Sequence, residues 1–286
     1  MIIWIASYPK SGNTWIRSLL CAYLFSKDGK FNFNLLKNIE QFASINLPTD
    51  STDDLDYLLR VFKNWIPSQK IINKDKKIRL LKTHNALCTI NGNKFTDAFN
   101  TMAAIYIVRD PRNLITSLSH HYEIDSKEAF DFLSNKRKTI FPLHFTESNK
   151  VKKTLHDVNF LGDWSGHYQS WKNIGFCPVK IIRYEDILSD THAVFISILE
   201  FLSKFLKLKI EKKKIDKSLY STSFKILSQT ETEQGFVESM ISDKTKKKIK
   251  FFNLGKKNDW KKLLDHETIQ KIENAFKNEM HELNYL

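Results

Sequence analysis

Residues 2–25 read IIWIASYPKSGNTWIRSLLCAYLF: an apolar run, a short polar turn, then a second apolar run of different period. Ile2 to Ala6 suits a short buried strand. Pro9 and Gly12 punctuate the turn. From Thr14 onward Trp15, Ile16, Leu19, Leu20, Tyr23 and Leu24 recur at helical spacing, so strand, loop and helix follow one another directly.

Three later stretches repeat the opening of this plan. Residues 78–82 (IRLLK), 103–108 (AAIYIV) and 179–183 (VKIIR) are short, apolar and followed by polar turns. Ser51–Asp54 reads as a helix start, continued by Leu55, Leu58, Leu59 and Phe62. Pro111 suits the first turn of a helix running through 112–122. Phe195–Leu206 reads as a mostly buried helix. Ile269, Ile272, Phe276, Met280 and Leu283 make one apolar face of a C-terminal helix.

Strands separated by helices predict an α/β fold, with a central, mostly parallel sheet flanked by helices. No repeat and no Pro/Gly/Ser linker divides residues 1–286, so a single domain is expected. The polar, Lys-rich segment 225–252, with Gly235 in it, is expected to form a mobile cap. Ligands of such sheets bind at the carboxyl ends of strands, so the four turns are where chemistry is expected.

Composition narrows the classes. Over 286 residues, 42% apolar and 27% charged is a globular mix, not a disordered or collagen-like one. No run of about 18 uncharged apolar residues is present, so no membrane span is expected. The opening MIIWIASYPKSG lacks a basic start and a long apolar run, and reads as strand and turn, not as a secretion signal. Cys21, Cys88 and Cys177 form neither a disulfide framework nor a metal knuckle, which points to a reducing, cytoplasmic location and no metal. The net charge of +13 would suit a polyanion. Only seven of the 45 basic residues are arginine, however, and nucleic-acid readers favour arginine. The excess is read as compositional bias, and no nucleic-acid partner is expected. The sequence carries no sign of oligomeric state.

The first turn has the length of a phosphate-cradling loop, in which backbone N–H groups and a helix N-terminus face an anion. Against the nucleotide triphosphatase pattern GxxxxGK[ST], Ser7 stands for the first glycine, Gly12 and Thr14 fit, and Asn13 replaces the lysine. The lysine sits earlier, at Lys10. This P-loop-like turn suits an anion smaller than a triphosphate and gives little support for Mg²⁺. In the second turn, Lys82-Thr83-His84 supplies an imidazole suited to general-base work and a lysine able to neutralise oxyanion charge. A lone histidine after a strand is also often structural. In the third turn, Arg109 offers a bidentate fork, with Ser117 eight residues further. Asp110 and Arg112 could equally make an internal ion pair and cap. In the fourth, Glu185 and Asp186 of Tyr184-Glu185-Asp186 could simply start a helix.

Tyr8-Pro9-Lys10-Ser11-Gly12-Asn13-Thr14-Trp15 resembles the 5′-phosphosulfate loop of the cytosolic-type sulfotransferase family. Those enzymes move a sulfuryl group from 3′-phosphoadenosine 5′-phosphosulfate (PAPS) to a hydroxyl or amine and release adenosine 3′,5′-bisphosphate. The resemblance implies PAPS contacts from Lys10, Ser11, Gly12, Asn13, Thr14 and Trp15. It implies that His84 is the general base, with Lys10 and Lys82 assisting catalysis. Arg109 and Ser117 match the family's 3′-phosphate site, and Tyr184 its Tyr-Glu-Asp near the adenine. Ser221-Thr222-Ser223-Phe224-Lys225 resembles the Thr-Ser-Phe segment, whose threonine and phenylalanine hold the base. The last motif, Arg-Lys-Gly, two residues, then Gly-Asp-Trp, is imperfect here: 253–260 read Asn-Leu-Gly-Lys-Lys-Asn-Asp-Trp. Gly255, Asp259 and Trp260 fit; the arginine, its lysine neighbour and the second glycine do not. Lys256 or Lys257 is left to supply the missing charge. The ending, Met280 to Tyr285, resembles bacterial members. The implied enzyme acts on a small-molecule acceptor framed by 27–75, 120–160 and 225–252, which carry Phe31, Phe33, Phe130, Phe141, Phe145, His120, His121 and His144. The alternatives are an ATP-dependent small-molecule kinase with an altered phosphate loop and a non-catalytic nucleotide or nucleic-acid binder.

Overall fold

Every side chain of strand β1, Ile2–Ser7, is buried, which is why the opening run is continuously apolar and does not alternate. The computed structural model describes residues 1–42, 54–140, 158–242 and 244–286, with the side chains of 54–57 left aside. Three more strands join β1: β2 (Arg79–Thr83), β3 (Thr101–Val108) and β4 (Val179–Arg183), in the order β2-β1-β3-β4. β1 and β2 pair in parallel, with Ile2 opposite Arg79 and Ala6 opposite Thr83. The chain steps from β1 to one side and then returns to the other side of β1. The order therefore reverses between β1 and β3, and ligands of open α/β sheets bind at such a switch point. The turns that follow these two strands contain Lys10–Thr14 and Arg109.

Helices fill the intervening stretches: α1 (Asn13–Phe25), α2 (Asp54–Ile72), α3 (Pro111–Tyr122), α4 (Ser126–Ser134), α5 (Trp164–Lys172), α6 (Tyr184–Ser189), α7 (Thr191–Ser203), α8 (Lys212–Ser221), α9 (Phe224–Gln234), α10 (Trp260–Leu263), α11 (His266–Ala275) and α12 (Lys277–Glu282). The expected start at Ser51–Asp54 lies partly outside the described residues, as do Phe141, His144 and Phe145. Helix α7 begins four residues before Phe195 because the Asp190 carboxylate caps it, accepting from the Ala193 N–H at 2.9 Å. The C-terminal apolar face is present but runs over two helices, α11 and α12, which meet at Phe276. Segment 225–252 contains most of α9, anchored by buried Leu227 and Glu231.

The described chain gathers into two compact units. A sheet unit holds Met1–Tyr8, Ile39–Tyr106 and Asn135–Ile181; a helical unit holds Pro9–Asn38, Ile107–Ser134 and Ile182–Leu286. The chain leaves the sheet unit just after β1 and within β3 and β4, so no linker marks the passage. In the sheet unit, Phe95 is ringed by Trp4 of β1, Trp65 of α2 and Trp171 of α5 at centroid distances of 5.1, 5.3 and 6.0 Å. Beneath them runs a buried polar chain. The Trp4 indole N–H donates to Thr101 Oγ1 at 2.8 Å, Thr101 and Thr96 share a hydrogen bond at 2.7 Å, and Thr96 donates to Gln69 Oε1, whose amide reaches the Phe95 carbonyl. In the helical unit, α1 packs on α8, and α3 packs on α4, α10 and α11.

Replacing Thr101 by Val keeps the shape but leaves the Trp4 indole N–H without its acceptor and the Thr96 hydroxyl without one of its two partners. We expect a loss of about 1–3 kcal/mol in urea unfolding, against no change for Thr89→Val in a half-exposed hairpin.

Candidate functional site

In the helical unit, the loop before α1 is bent by two left-handed residues, Lys10 at φ 67° and Gly12 at φ 101°. Gly12 is required twice over. Its φ disfavours any side chain, and a Cβ there would lie 2.5 Å from Cδ2 of Tyr184. Its carbonyl accepts the N–H groups of Trp15 and Ile16, which starts the helix. No acidic residue occupies the first turn of α1, so the positive end of the helix is not neutralised from within. Positive-φ turns of this kind direct successive N–H groups into one concavity, the geometry of an anion nest. Ser11 is fully buried, and its Oγ has no hydrogen-bond partner among the described residues; the same holds for Trp15 Nε1 and Arg109 Nε. Buried polar atoms left open carry a cost of desolvation that a bound polar ligand would offset.

Arg112 makes the internal pair: its guanidinium holds Asp110 at 2.7 Å and Glu273 at 2.6 Å, donates to the Tyr285 carbonyl and covers the Trp260 ring at 3.9 Å. Asp110 also caps α3 through the Arg112 N–H. Arg109 instead lies 4.2 Å over the Tyr184 ring and donates to the Lys10 carbonyl at 2.9 Å. Ser117 sits two turns along α3, half-buried. Glu185 does more than start α6. It accepts from the Asp110 N–H at 3.1 Å and the Tyr285 hydroxyl at 2.8 Å, and burial raises its carboxyl above the ordinary range against those hydrogen bonds.

The residues expected around the base also lie in the helical unit. Trp15 and Tyr184 meet edge to face at 6.0 Å. Phe224 opens α9 with its ring partly exposed. Thr222 is fully buried, and its hydroxyl donates to the Ser218 carbonyl at 2.7 Å. Gly255, in the imperfect motif, has φ 55°, and a Cβ there would stand 2.8 Å from the Phe224 ring. The 253–258 segment therefore returns to the Thr-Ser-Phe segment. Two further residues escaped the sequence reading. The Lys10 ammonium lies 3.7 Å over the Phe251 ring. Glu238 accepts from the Thr14 hydroxyl at 2.7 Å and pairs with Arg17 at 2.6 Å. Both sit in a polar, lysine-rich stretch, and nothing local marks them.

Phe31 and Phe33 meet edge to face, and Phe33 packs on Phe236 and Phe252. Phe130 packs on Phe276, His121 on Phe251, and His120 Nε2 meets the Lys250 carbonyl at 2.9 Å.

In the sheet unit, Lys82 is buried near the end of β2, and half-buried His84 follows that strand. His84 Nδ1 lies 2.7 Å from the Ser7 carbonyl, an acceptor only, so Nδ1 carries a proton. The turn is stitched from behind. Asn159 Oδ1 accepts from the His84 N–H and from the Asn85 amide, Asn85 accepts from the Phe160 N–H, and the Trp171 indole donates to the Asn85 carbonyl. His167, fully buried, completes it: Nε2–H donates to the His84 carbonyl at 3.0 Å, and Nδ1 accepts from the Tyr106 hydroxyl at 2.8 Å. Burial lowers the His167 pKa to about 4. Asn85, Asn159 and His167 were missed because the partners described above lie 61 to 86 residues away along the chain.

The neutral His167 makes a pH prediction. Between the unfolded value near 6.5 and the folded value near 4, only the unfolded chain takes up this proton. Stability is full above pH 6.5 and falls by about 3 kcal/mol as the pH drops to 4. Urea unfolding at pH 7 and 4.5 should show a steeper decline for the natural chain than for His167→Gln.

The sulfotransferase domain family model matches residues 2–284. Dog sulfotransferase 1B1 is 23% identical over 280 residues, 96% of this chain and 82% of the relative. Guinea pig 3-beta-hydroxysteroid sulfotransferase is 24% identical, covering 93% and 78%, and luciferin sulfotransferase of Photinus pyralis is 24% identical, covering 94% and 69%. Among solved structures, retinol dehydratase in complex with androsterone and the inactive cofactor PAP superposes with a TM-score of 0.60 at 16% identity, covering 98% of this chain and 80% of that one. A mouse sulfotransferase complexed with PAP superposes with a TM-score of 0.55 at 18% identity, covering 97% and 83%.

Proposed function

Since the chain belongs to the sulfotransferase family, we propose that it transfers a sulfuryl group from PAPS to a hydroxyl or amine of a small acceptor. The observation that carries the donor is the loop itself: two left-handed residues before a helix with no acidic residue in its own first turn, beside the open Ser11 Oγ, Trp15 Nε1 and Arg109 Nε. A phosphosulfate with an adenine attached meets each of these needs. That both solved structures named above hold PAP supports the same donor.

The roles follow from chemistry. Backbone N–H groups of Ser11 to Thr14, with the Ser11 and Asn13 side chains, hold the 5′-phosphate, and the Thr14 hydroxyl joins them by exchanging Glu238 for a phosphate oxygen. Arg109, Ser117 and the Gly255 turn hold the 3′-phosphate. Trp15, Tyr184 and Phe224 frame the base, with Thr222 behind them. The acceptor oxygen or nitrogen bonds to sulfur as the bond from sulfur to the bridging oxygen breaks in line with it. His84 Nε2 takes the acceptor proton, since its Nδ1–H is committed to the Ser7 carbonyl. Lys10 leaves the Phe251 face to meet the bridging oxygen, exchanging a cation–π contact for an ion contact, and Lys82 supports the transferring group. The reading includes a cytoplasmic location, where free thiols such as those of Cys21, Cys88 and Cys177 persist. Among the described residues, no helix is long and apolar enough to cross a membrane.

Calorimetric titration with adenosine 3′,5′-bisphosphate and with ATP and Mg²⁺ tests the donor. Micromolar binding of the bisphosphate with far weaker ATP binding is expected; the reverse would overturn the reading in favour of a kinase. His84→Ala should lower kcat by about 10²–10⁴-fold and leave bisphosphate affinity intact. A parallel loss of both would make His84 a structural residue.

A further inference from the structure

The segment that departs from the family pattern is not loose in this chain. Gly255–Lys257 form a single 3₁₀ turn, closed by the Lys257 N–H on the Leu254 carbonyl and the Asn258 N–H on the Gly255 carbonyl. Asn258 stands where the family shows its second glycine, and its side chain reaches α3. Its Nδ2–H donates to the Asn113 carbonyl at 3.0 Å, and its Oδ1 accepts from the Thr116 hydroxyl. The Asn113 side chain answers from below, accepting the Trp260 N–H at 3.2 Å, and Arg112 covers the Trp260 ring. Residues 112, 113 and 116 of α3 therefore hold residues 258 to 260. Ser117 is the next residue along that helix, and Arg109 lies just ahead of it.

The chemistry of the clamp selects an amide. A carbonyl needs a donor and a hydroxyl proton needs an acceptor, and asparagine presents both from one short side chain. Aspartate loses the donor, and glycine loses both. The upstream end of the segment is held as well: the Glu231 carboxylate, buried on α9, accepts from the Phe251 and Phe252 N–H groups at 2.6 and 2.9 Å.

We propose that Asn258 is a positioning residue that holds the Gly255–Lys257 turn against α3 before nucleotide arrives, so that preorganisation supplies part of the 3′-phosphate affinity that arginine gives other family members. The proposal rests on the PAPS reading above. An unheld turn would have to be ordered at the moment of binding, which subtracts from affinity. A held turn presents the Gly255 and Lys256 N–H groups, and the lysines at 256 and 257, without that cost. The effect belongs to ligands with a 3′-phosphate. A nucleotide without one does not draw on this turn.

The test compares the natural chain with Asn258→Ala, Asn258→Asp and Asn258→Gly, by calorimetry with adenosine 3′,5′-bisphosphate and with adenosine 5′-monophosphate. We expect each variant to bind the bisphosphate about tenfold more weakly, the scale of one or two hydrogen bonds, and the monophosphate as the natural chain does. Hydrogen exchange of the 255–259 amides in the ligand-free variants should quicken. Unchanged bisphosphate affinity in Asn258→Ala and in the near-isosteric Asn258→Asp would overturn the proposal. So would an equal loss for both nucleotides, which marks a general packing defect. If the natural chain bound no bisphosphate, the PAPS reading itself would fall, a result separable from any variant.

Discussion

The helical unit is organised around a backbone constraint at residues 10 to 12. Two residues in the left-handed region turn the chain sharply enough for a helix to begin at Asn13, and one of them is a lysine, a residue with no intrinsic taste for that conformation. Such a conformation persists only where surroundings over-determine it. Here the Lys10 carbonyl is fixed by Arg109, and Arg109 lies on the Tyr184 ring. That same ring closes on Gly12 so tightly that no Cβ fits. Loop, arginine and tyrosine are three views of one packing solution. The positions where an anion site was expected are also the positions where the backbone is most constrained, as preorganised electrostatics requires.

The sheet unit shows the complementary use of polar groups. His84 and His167 differ by burial and by what they hold. His167 has no access to water, donates one N–H and accepts at the other nitrogen, and is kept neutral by desolvation. Its lone pair and its proton are both spent on structure. His84 is half-buried and donates its Nδ1–H to the Ser7 carbonyl. The three side chains behind it fix the backbone from which the ring projects.

Local order was legible in the sequence where local physics decides it. The strand runs could be read because both faces of β1 are buried, and Gly12 because a left-handed position needs glycine. What could not be read lies in pairs distant along the chain. Asn85 and Asn159 are 74 residues apart, and Glu238 meets Thr14 across 224. Neither leaves a periodic trace. The described residues of 225–252 pack through groups scattered along the chain: Leu227, the three rings Phe236, Phe251 and Phe252, and one buried carboxylate. The clamp of Asn258 on Asn113 and Thr116 was invisible for the same reason.

The allocation of arginine in this lysine-rich chain carries the argument further. Arg17, Arg79, Arg112 and Arg183 each hold a carboxylate, and Arg79 does so through two parallel hydrogen bonds of 2.6 Å. For Arg79, Arg112 and Arg183 these are fork geometries that a hydrated ammonium cannot reproduce. Arg109 breaks the rule: it stacks on a ring, donates to a carbonyl and keeps a buried Nε open. That placement supports the anion-binding role proposed for it. The lysines of the 253–258 segment cannot supply a second fork, because a point charge on a four-carbon stem gains little from direction. What remains to sharpen recognition there is the backbone, and backbone N–H groups recognise an anion only when the turn that carries them is already in place. In a chain with so few arginines, hydrogen bonds that hold a turn take over work that elsewhere falls to a guanidinium.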